Sequence, residues 1–418
     1  MKESLIKSAY EAAKEQYAEL GVNTEEVLKK MESISLSLHC WQTDDVLGFE
    51  NPDGGLSGGI ATTGNYPGRA RTIKEAQDDL VKVTSLLPGK HRVNLHAIYG
   101  DFGGKLVDRD QIEPKHFQNW VDWAKANGLK LDFNCTLFSH PKAADGFTLS
   151  SKDKAIRDFW IEHVKRCRII SDYMGKELGS TSIHNIWAPD GSKDITVERY
   201  DYRKILCESL DAILKTDYAH MKDCIECKLF GLGSEAYVVG SHEFYMGYGI
   251  SRNKMITLDM GHFHPTESVS DKISSLLLFS DELMFHVSRG IRWDSDHAVI
   301  FDDALMSFAQ EIVRMDAVNK VHIGLDFFDA SINRIGAYVI GSRSTQKAFM
   351  FAMLEPLAQL RKYEDSGRYF ERLALLEESK MLPWNAVWNY FCMTNNVPSG
   401  LECIKDIEKY EADVLSKR

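Results

Sequence analysis

Eight short apolar runs, separated by longer amphipathic stretches, constrain the fold of this chain more than any other feature. The first four are "SISLSLHCW" (33–41), "RVNLHAIYG" (92–100), "LKLDFNCT" (129–136) and "STSIHNIWAPD" (180–190). The next four are "CKLFGLGSE" (227–235), "MITLDMGH" (255–262), "LMFHVSR" (283–289) and "VHIGLDFF" (321–328). All are rich in β-branched and aromatic residues, as strands are. The intervening segments have helical character, among them "TIKEAQDDLVKVTSLL", "PKHFQNWVDWAKANG" and a long stretch that opens on Ser150 and Ser151 as N-caps and closes on Gly179. Strand followed by helix, repeated, implies parallel strands joined by right-handed crossovers. Eight repeats imply closure, so the expected fold class is α/β, a (β/α)8 TIM barrel with an additional C-terminal helical arm. An open doubly wound sheet would want a Gly-rich phosphate turn after an early strand, and the chain has none.

Two segments stand outside the repeat. Residues 50–71, "ENPDGGLSGGIATTGNYPGRAR", are Gly-rich and too long for an ordinary connection. They lack the GxxxxGK[ST] pattern of a phosphate cradle and read as a functional loop or a contact between subunits. The helical, charged stretch from 351 onward reads as an arm on the barrel or on a neighbour. The expected division is therefore 1–350, a barrel with N-terminal helices and the Gly-rich loop, and 351–418, a C-terminal helical extension.

Composition narrows the partners. A net charge of −11 over 418 residues argues against nucleic acid or an anionic membrane, both of which need a basic face. No apolar run approaches the ~20 residues of a membrane span, and the N-terminus lacks the apolar core of a signal peptide, so a cytoplasmic location is expected. The eight cysteines do not suggest a disulfide scaffold. Cys224 and Cys227 have CxxC spacing, but no second pair lies at finger or ribbon distance, so buried thiols are the simpler reading.

In a closed barrel the chemistry sits at the C-terminal strand ends. There the sequence places Glu226 and Lys228 at the fifth run, Asp259, His262 and His264 at the sixth, His286 leading to Asp294 and Asp296 at the seventh, and Asp326 with nearby Asp329 at the eighth. Singly, each has an ordinary role: a core histidine, a turn cap, a solvated loop. Jointly they bring acidic and imidazole groups from four successive strands into one volume, where unpaired carboxylates would repel and lose hydration. A divalent cation resolves this. Carboxylate oxygens dominate and no thiolate is placed with them, which favours Mn²⁺, Mg²⁺ or Co²⁺, with Zn²⁺ able to bind. Seven candidate ligands exceed the needs of one ion and point to two.

The pattern Glu-x-Lys, Asp-x-x-His and Asp-x-Asp is similar to the metal sites of xylose isomerase-like barrels. Longer blocks, including "HCWQTDD", "RVNLHAIYGD", "NIWAPDGSKDITV", "LDMGHFHPTESVSDKIS", "HVSRGIRWDSDHAV" and "VHIGLDFFDASINRI", resemble the L-rhamnose isomerase family from the first run to the eighth. The resemblance implies two divalent ions per subunit, with Mn²⁺ foremost. It assigns Glu226, Asp259, His286 and Asp326 to a structural ion, and His262, Asp294 and Asp296 to a catalytic one. It implies an aldose–ketose isomerase that converts L-rhamnose to L-rhamnulose by a metal-assisted 1,2-hydride shift, the first step of rhamnose catabolism. A homotetramer acting on a small-molecule aldose is implied too, with the Gly-rich loop reaching a neighbouring site. Lys228 would orient a hydroxyl or water. His96 and Asp326 are candidates for opening the sugar ring. Trp187 and Phe133 would form an apolar wall for the sugar, with Trp41 a further aromatic of the first run.

Another aldose isomerase or epimerase on the same two-metal barrel is the alternative, because a barrel hosts many chemistries. A metal-dependent nuclease would want a basic rim, and a non-catalytic barrel would be expected to lose ligands. The role of His297, beside the two aspartates of "RWDSDH", is open at the level of sequence.

Overall fold

The computed structural model describes residues 2–50, 56 and 60–418. Eight parallel strands close into a barrel. They are β1 (Leu36–His39), β2 (Arg92–His96), β3 (Lys130–Cys135), β4 (Ser182–Trp187), β5 (Met221–Glu226), β6 (Met255–Asp259), β7 (Leu283–His286) and β8 (Val321–Leu325). Each strand pairs with its sequence neighbours, and β8 closes on β1 through Leu325 opposite Leu38. The strands are buried along nearly their whole length, as parallel strands covered by helices are. Outside the barrel, Gly191–Ser192 and Tyr237–Val238 form a two-stranded antiparallel ladder that ties the loop after β4 to the loop after β5.

The strand expected at 227–235 lies earlier, at Met221–Glu226. "CKLFGLGSE" is more apolar than "MKDCIE", which misleads a reading by hydrophobicity. Asp223 and Lys222 are tolerated in the strand because Asp223 pairs with Arg168 on the surrounding helix and Lys222 with Glu282. Glu226 therefore ends β5, and Lys228 belongs to the loop that follows.

The long crossover helix runs Lys154–Leu178. Its N-cap is Asp153, whose carboxylate accepts from the amides of Ala155 and Ile156, and not Ser150 or Ser151. Ser150 instead donates to Asp190, fastening the loop after β3 to the loop after β4. The helix ends at Gly179 in the left-handed region, as expected.

After helix Arg334–Met353, the C-terminal stretch forms helices Leu357–Asp365, Tyr369–Ser379, Trp384–Thr394 and Glu402–Asp413. Trp384–Thr394 packs on the N-terminal helix Glu3–Glu19, where Tyr10 and Tyr390 stack with centroids 3.9 Å apart. Tyr410 and Arg418 both reach the buried Asp79 of helix Ile73–Thr84. Helix Tyr369–Ser379 leaves Tyr369, Phe370 and Leu373 exposed.

Residues 51–55 and 57–59 of the expected Gly-rich loop lie outside the described residues. Among the described residues, no helix is long and apolar enough to cross a membrane. All eight cysteines are free thiols. Cys224 donates to the His184 carbonyl and Cys227 contacts His242, so the CxxC pair serves packing.

Candidate metal centre

Strand register builds the site. Glu226 ends β5 opposite Thr257, Asp259 ends β6 opposite His286, and His286 ends β7 opposite Gly324. Three carboxylates surround one imidazole nitrogen: His286 Nδ1 lies 2.9 Å from Asp326 Oδ2, 3.1 Å from Glu226 Oε1 and 3.8 Å from Asp259 Oδ2. Each of the four residues offers one ligand atom, and these atoms lie within 4.8 Å of one another. A second group, Asp259, His262 and Asp294, meets the same criterion and shares Asp259 with the first.

The surroundings aim these ligands. Asn185 Nδ2 donates to Glu226 Oε2 at 2.5 Å, which leaves Oε1 to face the centre. His262 Nδ1 donates to the Cys227 carbonyl at 2.8 Å, which turns Nε2 to Asp294 Oδ2 at 3.2 Å. Lys228 Nζ meets the same Asp294 oxygen at 2.8 Å while standing 4.7 Å from the centre of the Trp187 ring. Asp259 Oδ1 accepts from the Gly261 amide at 2.6 Å and from Ser288. A Cβ at Gly261 would lie 2.4 Å from Asp294 Oδ1 and push that carboxylate from its place.

The electrostatics show an excess of buried acid. Burial raises Asp259 to about 7, with Glu226, Asp294 and Asp326 adding to the rise against the pull of His262. Asp296 is pushed well above the carboxylate range by burial and by Asp294 and Asp259. Burial acts on Glu226 in the same direction, but His286 and His262 overcome it and hold Glu226 near about 2. Burial disfavours charge on His286, yet Glu226 and Asp326 lift it well above its ordinary value. Asp259 Oδ2 and Asp294 Oδ1 are buried carboxylate oxygens without a hydrogen-bond partner. Orphaned oxygens of this kind, joined by imidazole nitrogens and no thiolate, suit a hard divalent cation.

Six of the seven ligands expected from sequence fall in these groups. The seventh, Asp296, lines the same cavity but joins neither group. Its backbone sits at φ 46°, and its carbonyl accepts from the Phe328 amide at 3.0 Å. The loop bearing Asp294 and Asp296 is closed by reciprocal backbone hydrogen bonds between Arg289 and His297. His297 is thus a loop-closing residue whose ring contacts Ser295. His264 and Asp329 form local turns with Thr266 and Ser331, away from the centre.

Above the carboxylates lies a small cavity of about 20 Å³, lined on its apolar side by Trp41, Phe138, Trp187 and Phe328. The adjoining cleft of about 420 Å³, which shares Lys228, Asp294, Asp296 and Phe328 with it, is within the roughly 300–1,000 Å³ of small-ligand sites. His96 lines the cavity, stacked on Trp41 with centroids 4.1 Å apart, and both its ring nitrogens are buried without a partner. Burial lowers it well below its ordinary value, so its ring is neutral. Phe133 does not join the wall. Asn134, opposite His96 in register, lines the cavity, so Phe133 one residue earlier faces outward, where it meets Phe117.

Sequence reasoning missed His39 at the end of β1, 3.0 Å from Asp326, and also Asn185, Phe138 and Phe328. The strand-end rule applied to β1 would have found His39.

The family model described as L-rhamnose isomerase (RhaA) matches residues 4–418. The chain is 62% identical over 417 residues to the L-rhamnose isomerase of Bacteroides thetaiotaomicron, covering 100% of each. It is 57% identical to that of Listeria monocytogenes serotype 4a, covering 100% of this chain and 99% of that one. It is 54% identical to that of Escherichia coli O157:H7, covering 99% of each. Among solved structures it is similar to D-psicose 3-epimerase from Clostridium cellulolyticum H10, with a TM-score of 0.48, 12% identity, and coverage of 76% of this chain and 98% of that one.

Proposed function

The chain belongs to the L-rhamnose isomerase family, and from that premise we propose that it converts L-rhamnose to L-rhamnulose, the first step of rhamnose catabolism. Full-length relatives carry the isomerase name, so another aldose isomerase or an epimerase is not favoured. The observation that carries the site reading is the convergence of Glu226, Asp259, His286 and Asp326. These four would hold one divalent ion, and His262, Asp294 and Asp296 a second. The oxygen-rich donors favour Mn²⁺, with Zn²⁺, Co²⁺ and Mg²⁺ as competitors.

Bound divalent cations supply Lewis acidity that polarises the C1 carbonyl and acidifies the O2 hydroxyl. In the isomerisation, hydrogen leaves C2 with its electron pair and joins C1, while the O2 proton passes to O1. Before that step a pyranose must open: O1 loses a proton, the C1–O5 bond breaks and O5 gains a proton. His96 is suited to this exchange, because its neutral ring has both nitrogens free inside the cavity. Asp326 is the weaker candidate for ring opening, being already engaged by His39 and His286. Lys228 fixes Asp294 and keeps it ionised, its charge outweighing the effect of burial. Trp187, Trp41, Phe138 and Phe328 give the sugar's C–H face and terminal methyl an apolar wall and exclude water.

A cytoplasmic homotetramer completes the proposal. Eight free thiols suit a reducing compartment, and exposed Tyr369, Phe370, Leu278 and Phe279 offer faces for further copies. The test is chelator-stripped protein assayed on L-rhamnose with and without added Mn²⁺. Ketose formed only on addition of metal supports the reading, and faster turnover of another aldose sinks the substrate. In D₂O, carbon-bound deuterium in the product would sink the hydride shift. Light scattering on the eluting protein measures the assembly.

A further inference from the structure

Behind the cation ligands runs a chain of buried polar side chains. Asn134 Nδ2 donates to Asn94 Oδ1 at 2.8 Å, Asn94 Nδ2 meets His39 Nε2 at 3.0 Å, and His39 Nδ1 lies 3.0 Å from Asp326 Oδ1. An ionised carboxylate can only accept, so a hydrogen at this contact belongs on His39 Nδ1, although neither atom has a partner in full hydrogen-bond geometry. A neutral ring is then bare at Nε2 and needs a donor there, which the Asn94 amide supplies. Asn94 Oδ1 is in turn occupied by Asn134, which keeps the Asn94 amide from turning over.

His39 is fully buried, edge-on to His286 with ring centroids 4.9 Å apart. Room for both rings exists because residue 324 is glycine: a Cβ there would lie 3.1 Å from His39 Nε2 and 3.1 Å from His286 Cδ2. Asp326 thereby has an imidazole facing each oxygen, His39 at Oδ1 and His286 at Oδ2 beside the centre.

We propose that His39 is a positioning residue that grips Asp326 Oδ1 so that Oδ2 alone turns to the cation, with Asn94 and Asn134 fixing its tautomer. The proposal rests on the reading of Asp326 as a cation ligand. Groups that orient a ligand in this way typically contribute about 10–100-fold in metal affinity.

The experiment titrates Mn²⁺ alone into chelator-stripped protein, reading free Mn²⁺ by electron paramagnetic resonance, with circular dichroism to confirm the fold of each variant. Asp326→Asn identifies the site concerned. At that site His39→Leu should bind Mn²⁺ about 10–100-fold more weakly. His39→Asn keeps an N–H near the Nδ1 position and should stay within about threefold of the unaltered protein, well inside the loss expected of a missing second partner. Unaltered affinity in His39→Leu overturns the proposal, as does His39→Asn binding as weakly as His39→Leu. If Asp326→Asn itself binds as tightly as the unaltered protein, the ligand reading fails instead.

Discussion

The mouth of the barrel and its lower part are built from the same residue types and use them in opposite ways. Lower down, each buried carboxylate has a cation of its own. Asp132 takes both arms of Arg92, at 2.8 Å and 2.6 Å, together with the Ser37 hydroxyl. Asp223 is shared by Arg168 at 2.9 Å and His184 at 3.1 Å. Burial acts to raise both acids, but Arg92 pulls Asp132 below the ordinary range, and His184 with Arg168 does the same for Asp223. At the mouth five carboxylates face Lys228 and the imidazoles, and burial leaves Asp259 and Asp296 raised. A buried acid paired within the chain is structure. One left short of a partner marks where an external cation belongs.

That contrast is sharpest under mutation. Asp294→Asn or Glu226→Gln should lower turnover of L-rhamnose by about 10³-fold, the equivalent of several kcal/mol of lost charge stabilisation. The metal-free thermal midpoint should hold or rise, since repulsion is relieved. Ketose assays beside thermal melts check both, and a mouth variant that melts early while turning over normally would erase the distinction. Arg168→Leu should behave in reverse. Leaving Asp223 buried without its guanidinium should cost about 3–5 kcal/mol in urea unfolding, with turnover per folded molecule nearly unchanged.

Protons separate the regions next. His91, below β2, is buried with Nε2 on the Pro88 carbonyl, and burial lowers it to about 4. Its folded value lies below the unfolded one, about 6.5, so the stability it contributes is present above that pH and lost as pH falls toward 4. The loss should total about 3 kcal/mol, and His91→Asn should flatten that part of the stability–pH curve in urea melts at stepped pH. The smallest effect is expected from metal itself. Adding Mn²⁺ at about 100 times its Kd to stripped protein should stabilise it by about 2.7 kcal/mol. Glu226→Gln should gain less in the same titration.

Much of this was legible in the chain because barrel strands announce themselves by period, and strand ends locate chemistry. Glu226, Asp259, His286 and Asp326 meet where that rule puts them. It failed where polarity lies within a strand. Asp223 makes "MKDCIE" less apolar than the run at 227–235 that follows it, and its Arg168 partner is 55 positions away in sequence. Phe133 was misjudged by one residue of parity, which in a strand exchanges inside for outside. His39 escaped notice because its partners, Asn94 and Asp326, come from β2 and the end of β8, and only closure of the barrel brings them together. Asp132, third in β3, and Asp259, last in β6, differ in the chain only by their place in the strand, and what folds against each does the rest.

The paired backbones of Arg289 and His297 carry a consequence for how this surface can change over evolutionary time. They seal the Asp294 loop at its base, and Ser295 ties its interior by accepting from the Ile291 amide at 2.9 Å. The loop is thus a cassette clipped to the end of β7. Substitutions or length changes within it would retune the metal-facing surface while the rungs beneath keep their register, so new substrates can be sampled without risking the fold.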